Sequence, residues 1–273
     1  MSDILKRIVL LLTLSLVAGG VTAATQAADP DGGKNGSSSD DAWCPTDAEK
    51  VGDEALSRLA AWKTSAAEGY LETKREEFES TAEYRTAAAV LTAESGDRDK
   101  ALQELNQVSK TTSGDPAPAY WRGEVLYWQK SMDQAYDSWD EALRRASAAV
   151  EKDPTNARAQ YYLGASLIRD KRFDDARKPL KKAKRLGFDP VLANYQLGLS
   201  FAFAESWQQA IDAFDAVLAE QEAFAPAYFF RGIAWGETGR PDKMVADMER
   251  FVELAPQAAE ADRARSIVRA AGG

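Results

Sequence analysis

Three short segments carry a glycine at the same place and decide the fold: YYLGASL at 161–167, YQLGLSF at 195–201 and FFRGIAW at 229–235. Their glycines, at 164, 198 and 232, are separated by 34 residues in both intervals. Small and large apolar residues recur with the same period, at twelve, sixteen and nineteen residues after each glycine: Ala176, Ala210 and Met244; Leu180, Phe214 and Met248; Ala183, Val217 and Phe251. A period of this length predicts a repeat architecture.

Within each period the apolar residues follow a helical spacing, and no stretch has the alternating pattern that is typical of a strand. Each period is long enough for two antiparallel helices joined by a turn. Such a pair cannot bury its apolar faces alone, so neighbouring pairs must stack, and a constant rotation between them produces a curved superhelix. The sequence therefore predicts an all-α solenoid.

The residue types at these positions resemble the tetratricopeptide repeat. That pattern has a large apolar residue and Gly on the first helix, Ala, an aromatic residue and Ala on the second, and Pro after it. The matching residues are Leu163, Gly164, Phe173, Ala176, Leu180 and Ala183 in one repeat, Leu197, Gly198, Trp207, Ala210, Phe214 and Val217 in the next, and Gly232, Met244, Met248, Phe251 and Pro256 in the third. Arg231 departs from the pattern, because an apolar residue is usual there. The resemblance implies a right-handed solenoid of antiparallel helix hairpins with a concave face.

The pattern weakens towards the N-terminus. Gly123, followed by Ala135, Trp139 and Ala142, lies 41 residues before Gly164, and two extra helical turns before Asp153-Pro154 account for the longer interval. Ala89, with Ala101, Leu105 and Val108, marks a degenerate repeat another 34 residues upstream. We therefore predict N-terminal helices with degenerate repeats over 46–115, regular repeats over 116–256 and a capping helix over 257–273, with about four to five hairpins in all.

In the tetratricopeptide family the first helix of each hairpin lines the concave groove, so the resemblance implies a peptide-binding surface in this chain. Those positions, with one neighbouring arginine, are Tyr120, Glu124, Tyr127, Trp128, Arg158, Tyr161, Arg169, Tyr195, Leu199, Phe203, Phe229 and Ile233. The Lys and Asn residues with which family members clamp a terminal carboxylate are absent from these positions. Aromatic anchors suit an apolar helix or an extended segment, and Arg158 or Arg169 would add a charge-assisted contact.

Other interpretations stay open at this point. Aromatic residues at helical spacing also occur in cores, and the groove can be filled by the chain's own helices from Thr46 to Glu79 or by a second copy of the chain. The competing function is structural: a self-associating component of the cell envelope without a defined peptide ligand. Cys44 would be able to link two such chains in an oxidising compartment.

The composition argues against an enzyme. Histidine is absent from all 273 residues and Cys44 is the single cysteine, which removes the commonest proton-transfer group and the usual zinc and thiol sites. No group of carboxylates indicates a catalytic pair, so we expect no catalysis, no metal and no cofactor. The formal charge of −9 disfavours binding to nucleic acid. These exclusions leave a protein or a peptide as the expected partner.

The N-terminus is typical of an export signal. Lys6 and Arg7 precede an apolar run over 8–18, which is followed by Gly19, Gly20 and small residues. The run is short for a membrane span, although an uncleaved anchor is the alternative. We predict a signal peptide over 1–28, a flexible linker over 29–45, and a mature protein in the periplasm or outside the cell with no membrane span.

Overall fold

The structure, a computed structural model, describes residues 44–271, and within that range the chain forms thirteen helices and no strands. The predicted signal peptide and most of the predicted linker lie outside the described residues. The helices are α1 (Asp47–Ala60), α2 (Thr64–Phe78), α3 (Ala82–Glu94), α4 (Arg98–Thr111), α5 (Ala117–Trp128), α6 (Met132–Lys152), α7 (Ala157–Arg169), α8 (Phe173–Arg185), α9 (Pro190–Phe203), α10 (Trp207–Glu220), α11 (Ala225–Glu237), α12 (Pro241–Leu254) and α13 (Ala261–Ala271).

Five hairpins, α3/α4 to α11/α12, stack in chain order, which confirms the predicted all-α solenoid. One continuous core of buried apolar side chains runs through them. Helix α6 has 21 residues where α8 has 13 and α10 has 14, so the longer interval between Gly123 and Gly164 is taken up by extra turns at the end of α6. The α13 helix packs against α12 at the C-terminal end of the stack.

Glycine on the first helix of a hairpin allows the second helix to approach closely. A Cβ atom added at Gly123, Gly164 or Gly198 would lie 2.4 Å from the side chain of Trp139, Leu180 or Phe214, respectively. No real Cβ contact is that short, so these hairpins require glycine. The period in the sequence therefore has a direct steric cause.

We expect Gly198→Leu to lower the free energy of unfolding by roughly 1–3 kcal/mol, because its side chain must push Phe214 out of a fully buried position. Urea unfolding followed by circular dichroism measures the change. Gly69→Ala, in α2, is the control: nothing lies within 4 Å of its added Cβ, and alanine should stabilise the helix slightly. An unchanged unfolding midpoint for Gly198→Leu would contradict the steric explanation.

The turns inside the hairpins repeat with the same register. Each contains one residue with a positive φ, and the amide that follows it donates to the carbonyl five residues earlier, as at the end of many helices. These left-handed residues are Trp62, Gly96, Lys130, Lys171, Glu205 and Gly239. They are 34 residues apart, except for the interval of 41 that contains the long α6. Trp62 places α1/α2 in the same series as a sixth hairpin.

The core residues of α1/α2 agree with this register. Ala55, Ala67 and Leu71 lie one period before Ala89, Ala101 and Leu105, and all are buried. The packing of this hairpin nevertheless differs, because α1 rather than α2 makes the larger contact with α3. Gly52 permits the close contact between α1 and α3, because a Cβ atom at this position would lie 2.7 Å from Cβ of Glu83 and 2.9 Å from the Glu83 backbone.

Arg231, the departure from the apolar pattern, is held by two carboxylates. Its guanidinium donates to both oxygens of Asp247 on α12, at 2.8 and 2.6 Å, and to Asp215 on α10 at 2.6 Å. An arginine can therefore replace the apolar residue because its charge is paired across three helices.

Candidate functional site: the concave face and its open cleft

The structure buries ten of the twelve residues that the sequence places along the groove. Trp128 and Phe203 keep intermediate exposure, and the other ten are at most 9% exposed. They are Tyr120, Glu124, Tyr127, Arg158, Tyr161, Arg169, Tyr195, Leu199, Phe229 and Ile233. The expectation that these side chains face an external ligand must therefore be corrected: as the chain folds, they lie against other parts of the chain.

The buried aromatic residues pack against rings of neighbouring elements. Tyr161 stacks on Phe188, which precedes α9, with ring centroids 4.3 Å apart. Tyr195 lies 5.1 Å from Phe224, and Phe229 lies 5.1 Å from Phe251 on α12. The first two contacts connect a hairpin to the segment that leads into the next one, and the third joins the two helices of the last hairpin, so the rings stabilise the stack.

Glu124 and Arg169, two charged groove positions, bind each other. The Arg169 guanidinium on α7 donates to both carboxylate oxygens of Glu124 on α5, at 2.8 and 2.6 Å, and it also lies 5.2 Å from the Trp139 ring. Burial acts to lower the pKa of Arg169, but the Glu124 carboxylate more than offsets this, so the pKa lies above its usual value. Arg169 is therefore a charged structural link between α5 and α7.

Arg158 is bound by two carboxylates, one of them on α1. Its guanidinium donates to Asp53 on α1 at 3.2 Å and to Asp115, before α5, at 2.7 Å. Burial raises the pKa of Asp53 to about 7, and Arg158 opposes part of that rise. Asp53 is 2% exposed, so α1 carries a carboxyl group into the interior of the solenoid.

Two further contacts extend α1 towards the last repeat. The Ser57 hydroxyl donates to Asp189, the N-cap of α9, at 3.4 Å, and the Trp62 ring at the end of α1 lies 5.3 Å from Phe251 on α12. Contacts with α3, α7, the start of α9 and α12 mean that α1 crosses the concave side. The sequence left open whether an external ligand, the chain's own N-terminal helices or a second copy of the chain fills the groove. In this part of the groove, the chain's own helix α1 fills it.

A cleft of about 990 Å³ remains beside α1. Its walls are the α1–α2 turn, the C-terminal ends of α3 and α5 with the turns that follow, and the segment 254–260 between α12 and α13. The lining includes Trp62, Glu94, Tyr127, Trp128, Met132 and Glu260. Tyr127 and Trp128 belong to the predicted groove residues, and the structure places them together here.

Trp62, Glu94 and Glu260 are lining residues that sequence reasoning missed. A signal for the hairpin that contains Trp62 exists, because Ala55 and Leu71 lie one period before Ala89 and Leu105. Glu260 follows the last repeat, and its position in the cleft depends on how far the solenoid curves. No spacing in the sequence reports that curvature.

Residues 44–271 contain no group of three or more acidic or cysteine side chains arranged to hold a metal ion. Over the same range, no helix combines the length and apolar character that crossing a bilayer requires. Cys44 is exposed and unpaired.

Models of the tetratricopeptide repeat match residues 115–186 and 195–259. Among solved structures, a thermophilic TPR protein of Thermus thermophilus is 20% identical with a TM-score of 0.54, covering 69% of this chain and 99% of that one. A chain of the APC/C hetero-tetramer Cut9–Hcn1 is 14% identical with a TM-score of 0.52, covering 81% of this chain and 42% of that one. At these identities the likeness concerns the fold alone. No curated protein matches the sequence.

Proposed function

Because this chain belongs to the tetratricopeptide repeat family, a family of scaffolds for protein–protein interaction, we propose that it binds a protein or peptide partner outside the cytoplasmic membrane. The partner occupies the part of the concave face that α1 leaves open. No catalytic step is part of this proposal. The predicted export signal at the N-terminus supports the location, and the family supports the class of partner.

The cleft is the observation that carries the proposed binding site. Its volume of about 990 Å³ is large enough for several side chains of a peptide. Met132 is 38% exposed at its edge, whereas the large apolar side chains of the described residues other than Met132 and Tyr136 are buried or half-buried. Accessible aromatic and apolar side chains in a concavity are typical of interaction sites.

We expect the paired substitution Trp128→Ala and Met132→Ala to reduce partner capture by at least about tenfold, since aromatic anchors dominate such interfaces. The measurement is chemical crosslinking of the mature protein in its native compartment, followed by quantification of each crosslinked partner. Tyr136→Ala is the matched control, because Tyr136 is 40% exposed on α6 but does not line the cleft.

Equal yields of every partner from the native and doubly substituted proteins, with both still folded, would exclude the cleft as the binding site. The same samples, measured with and without reductant, test the structural alternative. A stable oligomer that covers the cleft and depends on Cys44 would favour self-association over peptide binding.

A further inference from the structure

Two carboxylates from distant parts of the chain line the cleft. Glu94 ends α3 and is exposed, whereas Glu260 directly precedes α13 and is 5% exposed. The Oε2 atom of Glu260 is buried and has no hydrogen-bond partner among the described residues. A buried carboxyl oxygen without a donor is costly in a folded protein, so a group that supplies a donor would be bound favourably.

The charge of Glu260 also acts on Glu94. Partial removal from water raises the pKa of Glu94, with Arg98 opposing and the charge of Glu260 adding to that rise, and burial raises the pKa of Glu260. Three other titratable groups line the cleft, namely Arg98, Tyr127 and Lys130, and the charge of Glu260 also acts on Tyr195. A cation placed between the two carboxylates would offset the burial cost of Glu260 and the repulsion that its charge exerts on Glu94.

The basic residues of the cleft do not neutralise Glu260. Arg98 is exposed and donates to the backbone carbonyl of Trp128 at 3.0 Å, and Lys130 is exposed at a left-handed turn. Neither donates to the Oε2 atom of Glu260, which has no hydrogen-bond partner among the described residues. The carboxyl group of Glu260 is therefore still without a cationic partner.

Aromatic side chains also lie around the two carboxylates of the cleft. Trp62, Tyr127 and Trp128 line the same cleft as the two carboxylates. Indole and phenol faces attract cations, and they also cover the methylene groups of a long alkyl chain. Aromatic walls and an unpaired carboxylate together form the chemistry that recognises an alkylammonium group.

We propose that the cleft binds the lysine side chain of a protein partner, with the ammonium group between Glu94 and Glu260 and the methylene groups against Trp62 and Trp128. This inference rests on the proposed function, because it names the side chain by which the partner is held. Lysine fits better than arginine, since a compact ammonium approaches two carboxylates from one point, whereas a guanidinium is a wide planar fork.

The direct test uses two acetylated and amidated pentapeptides, Ala-Leu-Lys-Leu-Ala and the same sequence with norleucine in place of lysine. Isothermal titration of the full chain with each peptide measures the affinity. The lysine peptide should bind about 10- to 100-fold more tightly, because a charge-assisted contact distinguishes otherwise similar chains. The affinity for lysine, and not for norleucine, should also rise as the pH rises from about 4.5, because the cation favours the ionised carboxylates.

Glu260→Gln tests the residue itself. The variant is expected to fold, because it removes a charge from a buried position, and it should abolish the preference for lysine over norleucine. Glu94→Gln should weaken that preference by a smaller factor, since Glu94 is exposed. Glu151→Gln, on an exposed residue near the end of α6 outside the cleft, should change nothing. Equal affinity for both peptides, no binding of the lysine peptide, or an unchanged preference in Glu260→Gln would each overturn the inference.

Partner capture separates this inference from the proposed function. If capture survives Glu260→Gln but is lost with the paired substitution of Trp128 and Met132, the cleft binds a partner by other means and the lysine assignment is wrong. If capture survives all of these substitutions, both proposals fail.

Discussion

Arg169→Met is expected to lower the free energy of unfolding by about 3–5 kcal/mol, because it leaves the Glu124 carboxylate unpaired at a position with no solvent exposure. Methionine keeps much of the volume and apolar length of the arginine side chain, so the loss reports chiefly on the missing charge and hydrogen bonds. Urea unfolding at neutral pH, followed by tryptophan fluorescence, gives the value.

Two further variants isolate the cause. Adding Glu124→Gln to Arg169→Met should recover a large part of the loss, since the buried charge is then gone. Arg144→Met breaks an ion pair with Asp140 whose side chains are 69% and 67% exposed, and it should cost less than about 1 kcal/mol. A double variant as unstable as Arg169→Met would show that packing, not the unpaired charge, accounts for the effect.

The stacking of hairpins was open to prediction because its causes lie within one period of the sequence. Gly198 and Phe214 belong to one hairpin, and a Cβ atom at position 198 would lie 2.4 Å from the Phe214 ring, so this contact requires glycine. The length of α6 followed in the same way from the interval between Gly123 and Gly164. Each of these features depends on neighbours that are close along the chain.

The first hairpin shows where a usable signal was overlooked. Ala55, Ala67 and Leu71 repeat the small and large residues of the next unit, but Lys74 stands where that unit has Val108, and the glycine of α1, Gly52, lies three residues before the repeat position that Ala55 occupies. The register of α1/α2 was therefore readable, whereas its placement was not. Packing of α1 on α3 depends on a close approach at Gly52, which no other hairpin uses.

The groove assignment was limited by a different cause. The sequence identifies which positions lie on the first helix of each hairpin, but it does not say what covers them. Arg158 and Arg169 were expected to contact a partner because the resemblance places Arg169 in the groove and Arg158 beside it. In the structure, carboxylates from 105 and 45 residues away already pair with them. The Glu124 contact depends on how neighbouring hairpins pack, and the Asp53 contact depends on where α1 lies across several of them.

We expect Arg158→Met to release α1 from the concave side at neutral pH. The substitution leaves Asp53 buried without a cation, which should reduce the local stability of α1 by about 3–5 kcal/mol. Hydrogen exchange of the α1 amides, compared with those of α9, measures local opening. The α9 amides should retain their protection, because the stack from α3 to α12 does not require this ion pair.

The loss of α1 stability in Arg158→Met should be larger at high pH than at low pH. In the native protein burial raises the pKa of Asp53 from its ordinary 3.8 to about 7, so the folded state binds this proton more tightly than the unfolded state does. The protonated Asp53 carboxyl therefore stabilises the folded state fully below pH 3.8, and this contribution is lost as the pH rises towards 7. Without Arg158 nothing offsets the ionised carboxylate, so α1 of the variant should be protected at pH 5 and exposed at pH 8.

Arg58→Met supplies the comparison within the same helix. Arg58 pairs with Glu54 at 2.7 Å, with side chains 35% and 26% exposed, so its loss should leave the protection of α1 nearly unchanged at both pH values. If Arg158→Met also left α1 protected at pH 8, the buried ion pair would not be what holds α1. The contact at Gly52 and the rings of Trp62 and Phe251 would then be sufficient, and the concave side would stay filled whatever the charge on Asp53.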